Sequence, residues 1–113
     1  MYVLKFTEFE LADVRRLPKN TRNALKKELL NKIATDPEGH SEGLQGALRG
    51  YRSFHWRDYR GVFRVFPGLQ AVAVVGIGKH AAKADIYRRL EVLVSSGQLA
   101  DKVLVSLRGF SRG

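Results

Sequence analysis

The segment from Gly50 to Tyr87 limits the possible folds more than any other part of this chain, because its strand signals are separated by very short connections. Strands are expected at about residues 50–57, 59–66 and 70–78. A tight connection around Asp58 joins the first two strands, and the turn dipeptide Pro67-Gly68 joins the second and third. Such short connections require antiparallel neighbours, so the segment predicts a three-stranded antiparallel meander.

Side-chain parity divides the first strand of this meander into an apolar and a polar face. Successive side chains of a strand point to opposite sides of the sheet. Phe54 and Trp56 share one parity, and such large aromatic residues are expected to pack against helices. The other parity holds Ser53, His55 and Arg57, which are therefore expected on the open face.

The second strand adds cations to the same face, and the third places its polar residues at its end. Arg60 and Arg64 are expected on the open face, because two arginines are not stable in a core without partners. Residues 72–77 are apolar on both parities, as in a central strand covered on both sides. The polar residues Lys79 and His80 follow where this strand ends.

The chain of 113 residues has a net charge of +9, and most of the excess lies in the meander and the helix after it. Residues 43–90 contain nine Lys and Arg against only Asp58 and Asp85, whereas the flanking residues are close to neutral. This concentration predicts a polyanionic partner, since Lys and Arg that neutralise phosphates release counterions. The alternative is a basic surface that serves solubility alone.

Helical periodicity accounts for most of the remaining sequence. After a short strand at residues 2–6, one helix is expected from Thr7 or Glu8 to Leu17 and a second from Pro18–Thr21 to about Thr35, with Asn20 or Thr21 as its N-cap. The two should form an antiparallel hairpin. The second helix has an apolar stripe of Leu25, Leu29 and Ile33, backed by Leu30 and Ala34. A third helix is expected from Ala84 to about Val94, followed by an amphipathic piece with Leu99, Val103, Leu104 and Leu107.

Composition and length exclude several classes of protein. The chain is expected to form one domain over residues 1–113, with residues 95–113 as an extension of uncertain structure. It contains no cysteine, which excludes disulfides and thiol chemistry and suits a cytoplasmic location. No apolar run is long enough for a membrane helix. No carboxylate cluster or His/Cys ligand spacing predicts a metal site, and no cofactor is expected.

The residues of the basic face match the chemical needs of RNA cleavage. Arginine binds phosphate through a planar fork of donors, and histidine transfers protons near neutral pH. Cleavage needs a base for the 2′-hydroxyl proton, cations at the phosphate and an acid for the leaving 5′-oxygen. Each residue also has a structural interpretation: Arg60 as a partner of Asp58 or of a backbone carbonyl, His55 as an edge-strand residue, His80 as a strand cap and Tyr87 as a core residue.

The order of these motifs resembles the RelE/ParE superfamily of toxin–antitoxin toxins over about residues 2–93. The similarity rests on the strand and helical hairpin ending in LP, the loop DP, then L-x-G, G-Y-R, D-Y-R-x-x-F-R-V and V-G-I-G-K-H, ending in D-I-Y. It implies an α+β fold in which an N-terminal strand and a helical hairpin pack on a curved antiparallel sheet, with one or more C-terminal helices. It also implies a cognate antitoxin as partner.

Two activities are known among similar toxins, and both remain open for this sequence, as does a third alternative, a member of the fold that has lost toxicity. RelE-like members cut messenger RNA in the ribosomal A site without a metal. ParE-like members share the fold but inhibit DNA gyrase without catalysis. Arg60, His80 and Tyr87 favour the ribosome-dependent endoribonuclease, because a pure binding module does not need an imidazole beside a phosphate clamp.

Candidate site residues follow from the resemblance position by position. It makes Arg60 the phosphate stabiliser, His80 a general acid or base, and Tyr87 a residue that orients or exchanges a proton with the 2′-hydroxyl or stacks on a base. The basic pair on the preceding strand falls near His55 and Arg57, with Arg52 as an alternative, and here the sequence departs from the RelE pattern. The candidate RNA-phosphate contacts are Arg52, Arg57, Arg64, Lys79 and Lys83.

Overall fold

The computed structural model describes residues 1–7 and 14–107, and it contains a five-stranded sheet. The strands are β1 (Val3–Phe6), β2 (Glu42–Gly43), β3 (Arg52–Trp56), β4 (Tyr59–Phe66) and β5 (Ala71–Lys79). Their order across the sheet is β1-β5-β4-β3-β2. The pairs β3–β4 and β4–β5 are antiparallel, which confirms the predicted meander. The N-terminal strand β1 adds to β5 in parallel.

The helices cover both faces of this sheet. They are α1 (Lys19–Glu28), which continues as a π-helical turn over Leu29–Ile33, α2 (Lys83–Ser95) and α3 (Gln98–Ser106). Most of the first predicted helix, from Thr7 or Glu8 to Leu17, lies outside the described residues. Across the described residues, no helix is both long and apolar enough to cross a membrane. The mixed α+β class predicted from the sequence is confirmed.

Two apolar clusters lie on opposite sides of the central strands. The stripe of α1 packs with Phe54, Trp56 and Phe63 on one side, and α2 and α3 pack with Val62 and Val75 on the other. Strand β5 contributes to both clusters, and its residues from Ala71 to Ile77 are all buried. This agrees with the apolar sequence of β5 on both parities and with a central strand covered on both sides.

Three details of the predicted helices are wrong. Pro18 occupies the N-cap of α1, and neither Asn20 nor Thr21 caps it. Leu30 was expected to back the apolar stripe but is 47% exposed, within the π-helical turn whose buried residues are Leu29 and Ile33. Leu104 was expected on the apolar side of the C-terminal piece but is 65% exposed, since α3 packs through Leu99, Val103 and Leu107.

Two glycines in β5 allow α2 to approach the sheet closely. A β-carbon at Gly78 would lie 2.7 Å from Cδ1 of Ile86, and one at Gly76 would lie 3.1 Å from a methyl carbon of Leu90. The Gly-x-Gly spacing in β5 therefore has a packing function. Since Tyr87 follows Ile86 in α2, this close approach also fixes how near Tyr87 comes to the sheet.

Candidate functional site

Arg60 lies at the centre of a cluster of polar side chains on the α2 side of the sheet. It sits near the start of β4, opposite His55 of β3 and Gly78 of β5. Its Nε donates a hydrogen bond to Nδ1 of His80 at 3.3 Å, and its Nη1 contacts the Tyr87 hydroxyl at 3.2 Å. The alternative interpretation, in which Arg60 pairs with Asp58, is not what the structure shows: the side-chain contacts of Arg60 include His80 and Tyr87, two residues that the sequence singled out for chemistry.

His80 is held at the end of β5 by its backbone. Its N–H donates to the carbonyl oxygen of Asp58, in the turn between β3 and β4. The hydrogen bond from Arg60 requires an unprotonated Nδ1, because a guanidinium can only donate. Loss of hydrating water around the ring and the positive charge of Arg60 lower the pKa of His80 below its ordinary value of 6.5. His80 is therefore neutral at pH 7 and able to accept a proton.

His55 completes a pair of imidazoles. It is exposed on β3, on the same face as Arg60, as parity predicts. The ring centroids of His55 and His80 are 4.9 Å apart and the ring planes are inclined by 50°. Two imidazoles beside one guanidinium supply both a proton acceptor and a proton donor next to a phosphate-binding group.

Tyr87 reaches this cluster from the first turns of α2 and is half-buried. Part of its ring packs against the core cluster beneath α2, while its hydroxyl contacts Arg60. The ring of Tyr87 therefore packs as the core interpretation predicts, while its hydroxyl lies beside Arg60. Lys83, one turn earlier in the same helix, also lies near enough to His80 to lower its pKa.

Three of the predicted phosphate contacts stack on aromatic rings instead of joining this cluster: Arg57, Lys79 and Arg64. The guanidinium of Arg57 lies 4.4 Å from the centre of the Trp56 ring, and the ammonium of Lys79 lies 4.7 Å from that of Tyr59. The parity prediction for Arg57 is wrong, because β3 ends at Trp56 and Arg57 lies in the turn with a φ of 52°.

Arg64 shares the face of Arg60, as predicted, but lies four residues further along β4. That separation corresponds to about 13 Å along the strand. Its guanidinium lies 5.5 Å from the ring centre of Tyr51 and 5.4 Å from that of Phe66. Arg64 is exposed and is the natural comparison for Arg60, since both carry the same charge on the same strand face.

Arg52, the alternative member of the basic pair, binds the loop that precedes β2. Its Nε donates to the Ser41 hydroxyl at 2.6 Å, and its Nη2 donates to the carbonyl oxygens of Ser41 and Glu38 at 3.1 and 3.4 Å. These contacts use much of the donor capacity of its guanidinium. Arg52 therefore positions one wall of the site.

Three residues of the site were missed by the sequence interpretation. Ser53 is buried, and its hydroxyl lies 3.4 Å from Nη1 of Arg60. His40, interpreted as a solvated loop residue, and Glu42 line a groove of about 410 Å³ with Ser53, His55 and Arg60. Parity already placed Ser53 on the right face, but no local pattern brings the loop before β2 over this face.

Within residues 1–7 and 14–107, no three His, Cys, Asp or Glu side chains come together in a group that could hold a metal ion.

Comparison with known proteins identifies relatives among solved structures only. No family model matches the chain, and no curated protein is significantly similar. The RelBE2 toxin–antitoxin complex of Mycobacterium tuberculosis aligns with a TM-score of 0.66 at 20% identity, over 69% of this chain and 96% of that chain. At this identity the match shows a common fold.

Structures from E. coli are more similar in sequence. The intact RelBE toxin–antitoxin complex aligns at 30% identity with a TM-score of 0.59, over 70% of this chain and 96% of that chain. A free RelE toxin with two arginines replaced by alanine aligns at 30% identity with a TM-score of 0.61, over 77% of this chain and 90% of that chain. Because both sequence and fold match over nearly the whole length of these relatives, this chain belongs to the RelE family of toxins from type II toxin–antitoxin systems.

Proposed function

We propose that this toxin is an endoribonuclease that cleaves messenger RNA on the ribosome. The observation that supports this most is the arrangement around Arg60, whose guanidinium contacts His80 and Tyr87 beside a second imidazole, His55. A guanidinium flanked by two imidazoles offers phosphate binding and proton transfer at one place. A messenger RNA substrate on the ribosome implies a cytoplasmic location.

In the proposed step, His80 is the general base and His55 the general acid. Neutral His80 takes the proton of the ribose 2′-hydroxyl, and the 2′-oxygen forms a bond to the adjacent phosphorus. The bond from phosphorus to the 5′-oxygen breaks, and protonated His55 gives its proton to that oxygen. The products are a 2′,3′-cyclic phosphate and a 5′-hydroxyl, and the proposed step uses no metal.

Arg60 stabilises the negative charge that develops on the phosphate, and Tyr87 positions Arg60. When a phosphate draws the guanidinium toward itself, Nδ1 of His80 loses its hydrogen bond to Arg60 and becomes free to accept the 2′-hydroxyl proton. The flanking cations Arg57, Arg64, Lys79 and Lys83 provide additional positive potential for the RNA backbone.

We further propose that a cognate antitoxin binds and neutralises this toxin. Two of the similar structures are complexes of a toxin with its antitoxin. The net charge of +9 favours an acidic partner.

Cleavage of a defined message on translating ribosomes tests the proposed activity. The purified toxin should produce fragments ending in a 2′,3′-cyclic phosphate, at a rate unaffected by a metal chelator at concentrations that leave the ribosomes intact. A parallel assay measures supercoiling by DNA gyrase. Intact message together with inhibited supercoiling would reject the endoribonuclease in favour of the gyrase inhibitor known among ParE-like toxins.

A further inference from the structure

We propose that Glu42 is a specificity-determining residue, whose carboxylate accepts a hydrogen bond from the exocyclic amino group of a nucleobase next to the scissile phosphate. Adenine, cytosine and guanine carry such an amino group and uracil does not, so Glu42 disfavours uracil. This inference rests on the proposed endoribonuclease function.

Strand register places Glu42 on the face of the sheet that bears Arg60. Glu42 in β2 pairs with Ser53 in β3, and directly paired residues point to the same side. The Ser53 hydroxyl contacts Arg60 Nη1, so the three side chains follow one another across neighbouring strands. Two strand spacings separate β2 from β4, or about 10 Å, which suits a nucleotide with its phosphate at Arg60 and its base toward Glu42.

The negative charge of Glu42 favours contact with the base of a nucleotide over contact with its phosphate. Of the described residues that line the groove, Glu42 is the only carboxylate, whereas Arg60, His55 and His40 are basic. A carboxylate repels the phosphates of the backbone but accepts hydrogen bonds from amino groups. Its side chain is exposed, and no described contact satisfies its oxygens, so they are available to a ligand.

His40 strengthens the preference for an amino group. Its Nδ1 lies 3.0 Å from the carbonyl oxygen of Asp36, and a carbonyl only accepts, so Nδ1 carries the proton. In the neutral ring, Nε2 is then an acceptor. Two acceptors on this wall favour a base edge that presents N–H donors and oppose the carbonyl oxygens of uracil.

The test compares messages that differ only in the base on either side of the scissile phosphate. At one of these two positions, the native toxin should cleave the uracil message about tenfold more slowly than the best amino-bearing base, the ratio expected from one base contact. In Glu42→Gln this ratio should fall below about threefold, since the amide N–H₂ also donates to uracil oxygens. Glu38→Gln is the matched control: it removes the same charge four residues earlier, in the loop before β2 and outside the groove, and should leave the ratio unchanged.

Equilibrium binding of the same RNAs, followed by fluorescence anisotropy, separates this inference from the proposed function. A uracil penalty in binding that Glu42→Gln removes supports the role of Glu42 even when no cleavage is seen. Equal treatment of all four bases by the native toxin in both assays overturns the inference, as does a penalty that Glu42→Gln retains or that Glu38→Gln removes equally.

Discussion

Replacing Arg60 with alanine should slow RNA cleavage by about a thousandfold through loss of transition-state stabilisation. A unit charge about 4 Å from the phosphate contributes about 4 kcal/mol at an effective dielectric constant near 20. Since about 1.4 kcal/mol corresponds to a factor of ten in rate, this is a loss of about 10³. This predicted thousandfold loss of rate also lies at the upper end of the 10²- to 10³-fold loss that is typical when one preorganised donor is removed.

The same substitution should leave the protein folded. Arg60 is only half-buried, and its hydrogen bonds go to Ser53, His80 and Tyr87. Hydrogen bonds of this kind contribute about 1 kcal/mol each, so their combined loss stays below the 5–15 kcal/mol that is roughly the stability of a domain. A thermal denaturation curve for Arg60→Ala checks this requirement.

The assay is steady-state cleavage of a message on ribosomes, with kcat and KM determined separately. Arg64→Ala is the matched control, because it removes the same charge from the same strand face about 13 Å away. We expect Arg64→Ala to raise KM modestly and to leave kcat within about threefold, since a phosphate contact outside the site acts mainly on binding. Arg60→Lys should recover part of the rate, because lysine restores the charge but not the two-armed fork.

Two results would refute this account of Arg60. One is a folded Arg60→Ala protein whose kcat is within about threefold of the native value, because a residue that stabilises the transition state must affect kcat. The other is an equal loss in Arg64→Ala, which would show that total positive charge, not the position of Arg60, controls the rate.

Three further predictions concern the acid–base chemistry and the core. Because His80 must be neutral to act as base and its pKa is lowered, the acidic limb of the pH–rate profile of kcat/KM should appear only below pH 6.5, and His80→Gln should remove this limb. Gly61→Ala should destabilise the fold by about 1–3 kcal/mol in chemical denaturation, because the new β-carbon would lie 2.2 Å from the Phe54 ring. Leu90→Ala should cost about 2–5 kcal/mol in the same measurement, whereas Val92→Ala, at a 63% exposed position of the same helix, should cost less than about 0.5 kcal/mol.

The sheet could be predicted from the sequence because its strands are adjacent along the chain. Short connections set antiparallel pairing, and parity separated Phe54 and Trp56 from His55 correctly. Parity failed at Arg57, where the turn interrupts the alternation with a positive φ. Alternation assigns faces only while the backbone remains extended, so one residue beyond the end of β3 was enough to break the rule.

The part of the site that lies on neighbouring strands could also be predicted from the sequence. Arg60 and His55 occupy paired positions on neighbouring strands, so register alone brings them together. The closeness of Tyr87 to Arg60 could not be predicted, because it depends on how closely α2 packs against the glycines of β5. That distance is a property of the three-dimensional packing and leaves no local pattern in the sequence. His40 and Glu42 could not be found, since the path of a turn-rich loop over the sheet leaves no periodic signal in the sequence.

The His80 amide donates a hydrogen bond to the Asp58 carbonyl, so the length of the turn between β3 and β4 affects where the His80 imidazole lies. This hydrogen bond connects the two-residue turn at the tip of the β3–β4 hairpin to the residue that follows β5. A residue inserted at Asp58 would shift the carbonyl that anchors the imidazole of His80. We therefore expect the turn to tolerate changes of side chain far better than changes of length, and a relative with a longer hairpin to require a different anchor for the residue at this position.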